Sequence, residues 1–170
     1  MDEKRYPKPE RRYVSENWVP NTWKDIQPLY KEIEARTLNT GGDLESWLLD
    51  LSEVDSIIGG VSSRRYFAST CDTSDEEAEK DHLEYQMKVL PEVAKVGDRL
   101  NKKYLASPVR PEMDAEYWLV HDRDAERAVE LFREENVELD AKDEELSVEY
   151  GRTSGSMTVE FGGKTCTLQE

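Results

Sequence analysis

Two histidines and two cysteines are the side chains of this sequence best suited to hold a metal ion or act as nucleophiles: His82, His121, Cys71 and Cys166. A catalytic zinc site takes three protein ligands, usually with two histidines near each other, whereas these two histidines fall in separate segments. The sequence contains no HExxH, P-loop, GxGxxG, GxSxG or CxxC motif. We therefore predict no catalytic, cofactor-binding or metal-binding residue in this chain. We expect one histidine on the surface and one partly buried and hydrogen-bonded.

A metal-binding helical bundle is the alternative that would use both histidines. Such bundles carry paired Glu-x-x-His motifs on facing helices. Glu79 precedes His82 by three residues, but Trp118 occupies the corresponding position before His121. Only one such motif is present, so the pattern does not favour this alternative, which metal analysis would test.

The segment around Cys71 combines arginines with short polar side chains. Arg64 and Arg65 precede Thr70-Cys71-Asp72-Thr73. Arginine next to carboxylates favours a charge-assisted brace between two helices over a contact with a peptide carboxylate. We interpret Cys71 as a packing residue.

Composition limits the partners of the chain. The chain has 170 residues, of which 38 are acidic and 23 are basic, and its formal net charge is −15. Such a field repels nucleic acid and anionic membrane surfaces, so we predict neither as a partner. A solvated acidic surface, adaptation to high salt and attraction of basic ligands all remain open. The two distant cysteines predict reduced thiols, and the charged N-terminus is unlike a secretion signal, so we expect a cytoplasmic protein.

The elements that position these residues are mainly helices, and the longest predicted one spans residues 74–107. Ser74 followed by Glu77 predicts a capping box, and Pro91 predicts a kink because it removes the hydrogen bond to the carbonyl of Met87. Two neighbouring apolar lines run along this helix, so we expect other elements to pack against it from two sides. The first apolar line comprises Leu83, Met87, Leu90, Ala94, Gly97 and Tyr104. The second comprises Tyr85, Val89, Val93, Val96 and Leu100.

We predict about six helices in total. The first begins near Asp25 with Pro28 in its first turn, and the second runs from Asp43 until Gly59-Gly60 closes it. A short third helix covers residues 62–70, a fifth residues 113–135, and a sixth is capped by Asp140 and Asp143 and ends at Gly151 and Gly155.

The C-terminus predicts a β-hairpin. Met157, Val159 and Phe161 alternate with polar residues, Gly162-Gly163 supplies a two-residue turn, and residues 164–168 return. An isolated hairpin is marginally stable in water, so we expect the three apolar side chains to face other polypeptide. The predicted fold is therefore mainly α, with one long central kinked helix and a C-terminal hairpin. The predicted organisation is an extended arm over residues 1–20, with Trp18 packed against a helix, a helical lobe over 21–156, and a hairpin over 157–170.

Several segments together resemble the N-terminal region of the oligoendopeptidase F-type zinc metallopeptidases, relatives of thimet oligopeptidase. The resemblance runs over residues 23–168 and rests on the order and spacing of three stretches: WLLDLSEVDSIIGGVSSRRYFASTCDTSDEEAEKDHLEY, LNKKYLASP, and VELFREENVELDAKDEELSVEYGRTSGSMTVEFGGKTCTL.

The resemblance implies a mostly helical endopeptidase that hydrolyses short peptides in a deep channel. Zinc would be held by the two histidines of HExxH and a downstream glutamate, and the glutamate within the motif would activate the zinc-bound water. These residues would lie C-terminal to Glu170, in a catalytic domain that is the expected partner of this chain. The chain would then be the lobe that walls or gates the channel, inactive by itself. The alternative is a stand-alone acidic helical protein-interaction module.

Overall fold

Six α-helices and one β-hairpin follow one another in the computed structural model, which describes residues 10–72 and 74–167. This confirms the predicted fold class. The elements are α1 (Trp23–Ala35), α2 (Gly41–Cys71), α3 (Glu76–Lys88), α4 (Leu90–Leu105), a 3-10 turn (Arg110–Glu112), α5 (Leu119–Leu131), α6 (Glu134–Gly155), β1 (Thr158–Phe161) and β2 (Lys164–Thr167).

Helices α3 and α4 together form the long central helix, bent at Val89. Because Pro91 has no N–H, the carbonyl of Met87 lacks its helical donor, and the bend confirms the predicted kink. The predicted capping box at Ser74 is wrong. Asp75 caps α3 instead, its carboxylate accepting hydrogen bonds from the backbone N–H groups of Glu77 and Ala78 at 3.1 and 3.0 Å. A charged acceptor suits the positive end of the helix dipole better than a hydroxyl does.

The second and third predicted helices are one helix of 31 residues, α2. Gly59 and Gly60 lie inside it, so the predicted break is wrong. A helical glycine costs about 1 kcal/mol relative to alanine. Val54, Ile58 and Val61 are buried on either side of the pair, and burying each such side chain contributes about 1.5–3 kcal/mol. Packing on both flanks therefore outweighs the local glycine signal.

Helices α1, α5 and α6 also differ from the predicted boundaries. Pro28 lies in the second turn of α1 rather than the first. The predicted fifth helix is a 3-10 turn followed by the shorter α5. Helix α6 begins at Glu134, so Asp140 and Asp143 lie within it and do not cap it. The backbone turns extended at Phe132 and Arg133, where no proline or glycine marks the break in the sequence.

The core lies where α2 and α4 meet the other helices. Helix α2 packs against α1 and α3, α4 packs against α1 and α5, and α6 lies across α3 and α4. The long central helix is thus contacted from two sides, as predicted. The most deeply buried large side chains include Trp47, Tyr104, Ile26, Ile33, Leu44, Leu100 and Val54.

An N-terminal strap, residues 10–20, is held to this core by one carboxylate. Glu53 accepts hydrogen bonds from the backbone N–H groups of Arg12, Tyr13 and Val14 at 2.8, 3.1 and 2.9 Å. Val14 is buried and Trp18 packs against the core, which confirms the predicted packing in this part of the arm. Residues 1–9 of the predicted arm lie outside the described residues.

The C-terminal hairpin has the predicted turn. Val159 pairs with Cys166 and Phe161 with Lys164, across Gly162 and Gly163 at φ +59° and +77°. Positive φ at both turn positions is the geometry that glycine tolerates best. Val159 and Phe161 are 48% and 80% exposed, so no described part of this chain covers them, and their expected contact with other polypeptide stays a prediction. Leu168 lies outside the described residues.

Candidate functional site

His82 is buried and His121 is only partly exposed, so the prediction of one fully exposed surface histidine is wrong. His82 of α3 is 1% exposed, and its Nε2 lies 3.2 Å from Oε1 of Glu144 on α6. The edge of its ring meets Tyr66 of α2. His82 therefore sits where three helices meet, and both α2 and α6 contact its ring.

His121 occupies a separate aromatic environment on α5. Its ring packs edge-on against Tyr104 and Trp118, with centroid distances of 4.9 and 5.7 Å. Burial lowers the pKa of His121 despite the opposing effect of neighbouring Asp122 and Asp124, because desolvation disfavours the charged imidazolium.

A metal site does not form among residues 10–72 and 74–167. No group of three histidine, cysteine, aspartate or glutamate side chains in these ranges could hold a metal ion. The two histidines lie in separate packing environments on α3 and α5. The described residues thus do not fit a zinc ion, and the metal-binding bundle finds no support.

The predicted arginine brace is confirmed for Arg65. Its Nε donates to Asp81 of α3 at 2.8 Å, and its guanidinium lies over the ring of Tyr85, 4.4 Å from the centroid. A second nitrogen donates to Asn21 at 3.0 Å, so one side chain ties α2, α3 and the residue that follows the strap together. Arg64 is exposed.

Both cysteines are free thiols, as predicted. Cys71 is exposed at the last position of α2, so the prediction that it is a packing residue is wrong. The burial of α2 ends before its C-terminal turn, whose Ser69 and Thr70 hydroxyls donate to the helix's own carbonyls. Thr73 lies outside the described residues.

One interaction network at the turn before α5 was missed from the sequence. Asp122 accepts hydrogen bonds from the Tyr104 hydroxyl and from Nε of Arg110. Burial, reinforced by the hydrogen bond to Asp122, raises the pKa of Tyr104 to about 12. Arg110 follows Tyr104 by 6 positions and Asp122 follows Arg110 by 12, and no periodic pattern in the sequence predicts that these three side chains meet. The network therefore closes the α4–α5 connection.

Two grooves flank the inner side of α6, the side facing α3 and α4. One has a volume of about 350 Å³ and lies over the bend between α3 and α4. Its lining includes Leu90, Pro91, Ala94, Phe132, Asn136 and Val137. The second, of about 330 Å³, lies between α6 and the C-terminal part of α2, and Tyr66, Ser69, Thr70 and Ser147 line it.

Few anchors hold the inner side of α6 to the rest of the fold. Glu144, which lines both grooves, contacts His82, and Arg152 lies 3.6 Å from Glu79 of α3. Val137 is the one buried residue of this 22-residue helix. Among the described residues, helix α6 is thus attached by these two polar contacts, by the attraction of Lys95 on α4 for Glu134 and Glu138, and by a short apolar seam.

The opposite side of α6 is apolar as well. Leu139, Leu146 and Tyr150 are 64%, 54% and 75% exposed, and at about 100° per residue they fall within an arc of about 40°. We call these three residues the outer stripe. In chain order they are followed by the exposed apolar residues of the hairpin region, Met157, Val159 and Phe161. A helix that is apolar on two opposite sides is typical of one with neighbours on both.

Over the described part of the chain, no helix combines the length and apolarity needed to cross a lipid bilayer.

Comparison with known families matches residues 17–132 to the Peptidase M3 N-terminal domain. No curated protein and no solved structure matched the chain. The matched segment spans the end of the strap, α1 to α5 and more than half of the 170 residues. The chain therefore belongs to the Peptidase M3 N-terminal domain family. Helix α6 and the hairpin follow the matched segment directly.

Proposed function

We propose that this chain is the N-terminal lobe of a zinc metallo-oligoendopeptidase of the oligoendopeptidase F type, which hydrolyses short peptides. The lobe would wall or gate the channel through which peptides reach a catalytic domain in the same protein. The observation that carries the proposal is the match of residues 17–132 to the Peptidase M3 N-terminal domain.

The physical properties of the lobe support a shaping role. The described residues offer surfaces and grooves, and they do not assemble the donors that zinc requires. The proposal accordingly assigns zinc and the reacting groups to the catalytic domain. Braces such as Arg65 with Asp81, and Tyr104 with Asp122, tie α2 to α3 and α4 to α5. The net charge of −15 would favour peptides with basic residues over acidic ones.

A stand-alone acidic interaction module remains the second candidate. The outer stripe of α6 favours it, because an exposed apolar helix face on a charged surface is typical of a protein-binding site. The two candidates differ in what accompanies the lobe, since only the peptidase requires a catalytic domain in the same reading frame.

The coding sequence after Glu170 distinguishes the two candidates. An HExxH motif in frame after Glu170 supports the peptidase lobe, whereas a stop codon directly after Glu170 supports the interaction module. The purified 170-residue chain should not cleave a fluorogenic peptide, with or without added zinc. A longer protein that carries the motif should cleave it, and a chelator should abolish the cleavage. Chelator-sensitive cleavage by the 170-residue chain itself would contradict the assignment of catalysis to another domain.

A further inference from the structure

The outer stripe of α6 identifies a docking surface. Leu139, Leu146 and Tyr150 point away from the side of α6 that carries Val137 and Val148, which face α3, α4 and the grooves. Each of the three residues exposes more than half of its surface. Covering them removes apolar surface from water, which favours the contact.

The charges beside the stripe select the kind of partner. Glu135, Asp143 and Glu149 lie on its borders by helical spacing, against one basic neighbour, Lys142. A second copy would bring the same acidic borders together, on a chain that carries a net charge of −15. Like charges brought face to face are repelled, whereas lysine or arginine opposite these carboxylates is attracted.

We infer that the outer stripe docks against the part of the same M3 peptidase that follows the N-terminal domain, on an apolar surface bordered by lysine or arginine. Position along the chain supports this occupant, because α6 directly follows the matched segment 17–132 and precedes the exposed hairpin. The inference rests on the proposed function and adds the face and the chemistry of the contact. Helix α6 would then be the layer between the helical lobe and the catalytic domain.

Thiol labelling in the intact peptidase tests the contact without changing the partner. The background carries Cys71→Ser and Cys166→Ser, which removes the two native thiols. Leu139→Cys places a thiol in the stripe. Leu119→Cys on α5 is the matched control, since both leucines are 64% exposed in the lobe. The rate of reaction with a maleimide is measured for each variant in the intact peptidase and in the 170-residue chain.

We expect the Leu139→Cys thiol to react at least tenfold more slowly in the intact peptidase than in the 170-residue chain. The Leu119→Cys thiol should react within about twofold of the same rate in both. Adding Glu135→Lys and Glu149→Lys should restore much of the lost rate at position 139, because basic residues would then face basic residues. Glu45→Lys reverses a charge on α2 and serves as the control for the effect of the two charge reversals on the labelling rate at position 139.

Three results would overturn the inference. Equal rates for the Leu139→Cys thiol in both proteins would show that the stripe is uncovered, and equal protection at both leucines would remove the assignment to α6. Protection within the 170-residue chain that grows with its concentration would identify a second copy as the occupant. Failure of the proposed function can be recognised separately. It would be seen as the absence of an in-frame HExxH motif after Glu170, which is known before any labelling is done.

Discussion

Removing the carboxylate of Glu53 should detach the N-terminal strap and lower the stability of the lobe. This side chain of α2 accepts hydrogen bonds from three successive backbone N–H groups, those of Arg12, Tyr13 and Val14, at 2.8–3.1 Å. The residues are about 40 positions apart in sequence. Glu53→Ala therefore removes the charged anchor that closes this long loop.

The cost follows from the surroundings of the three donors. A hydrogen bond to a charged group contributes about 1.5–3 kcal/mol, and a buried donor left without an acceptor costs about 1–3 kcal/mol. Val14 is 8% exposed, so its N–H loses its acceptor, whereas the N–H groups of Arg12 and Tyr13 can turn to water. We expect Glu53→Ala to lower the free energy of unfolding by about 2–4 kcal/mol. Glu53→Gln keeps an acceptor oxygen and should cost about half as much.

Urea unfolding followed by tryptophan fluorescence measures this change, with Glu45→Ala as the control. Glu45 is exposed on the same helix, and its replacement should change stability by less than about 0.5 kcal/mol. The melting temperature of Glu53→Ala should fall by about 2–4 °C for each kcal/mol lost. If Glu53→Ala unfolds within 0.5 kcal/mol of the wild type, the carboxylate does not hold the strap.

The same carboxylate predicts a dependence on pH. Burial alone would raise the pKa of Glu53, but the hydrogen bonds from Val14, Arg12 and Tyr13 outweigh burial and hold its pKa below the usual range. Its contribution is therefore fully present above the pKa of the unfolded chain and is lost as the pH falls through the lowered pKa of the folded state. Glu53→Gln should lack this part of the acid dependence.

Two further predictions concern helix α2 and helix α5. Gly59→Ala should stabilise the protein by about 0.5–1 kcal/mol, because Gly59 lies inside α2 with open space where its Cβ would stand. Gly41→Ala should destabilise it, because the new Cβ would lie 2.8 Å from Cβ of Glu112, and thermal unfolding of both variants checks the pair. Burial lowers the pKa of His121, so the unfolded chain binds this proton first, and stability should decrease as the pH falls below about 6.5, by at most about 1.4 kcal/mol per pH unit. His121→Phe should remove that decrease between pH 7 and 5.5, and an unchanged slope would contradict the assignment to His121.

The buried faces of single helices were readable from the sequence because each follows the helical repeat. Ile26, Tyr30 and Ile33 are the buried line of α1, and Leu44, Trp47, Leu48, Val54 and Ile58 lie buried along α2 at helical spacing. The kink before Pro91 and the turn at Gly162-Gly163 were also readable, because each follows from the backbone of one or two residues. These features depend on local stereochemistry and on one side of a helix avoiding water.

The candidate surface could be predicted only in part. The sequence placed Leu146 and Tyr150 on a sixth helix, but the predicted cap at Asp140 left Leu139 outside it. Without the position of α6 over α3 and α4, its two apolar sides could not be told apart. The burial of His82 was missed for the same reason, because Glu144 is 62 residues away in sequence.

The sequence by itself determined the helical class, the central bend and the terminal hairpin, because periodicity, proline and paired glycines act within a few residues. Only the tertiary structure decided that α2 runs through Gly59 and Gly60, that Glu53 holds the strap, and which side of α6 faces outward. The physical reason is one of magnitude and distance. A local signal is worth about 1 kcal/mol, and burial against residues far along the chain exceeds it once several side chains act together.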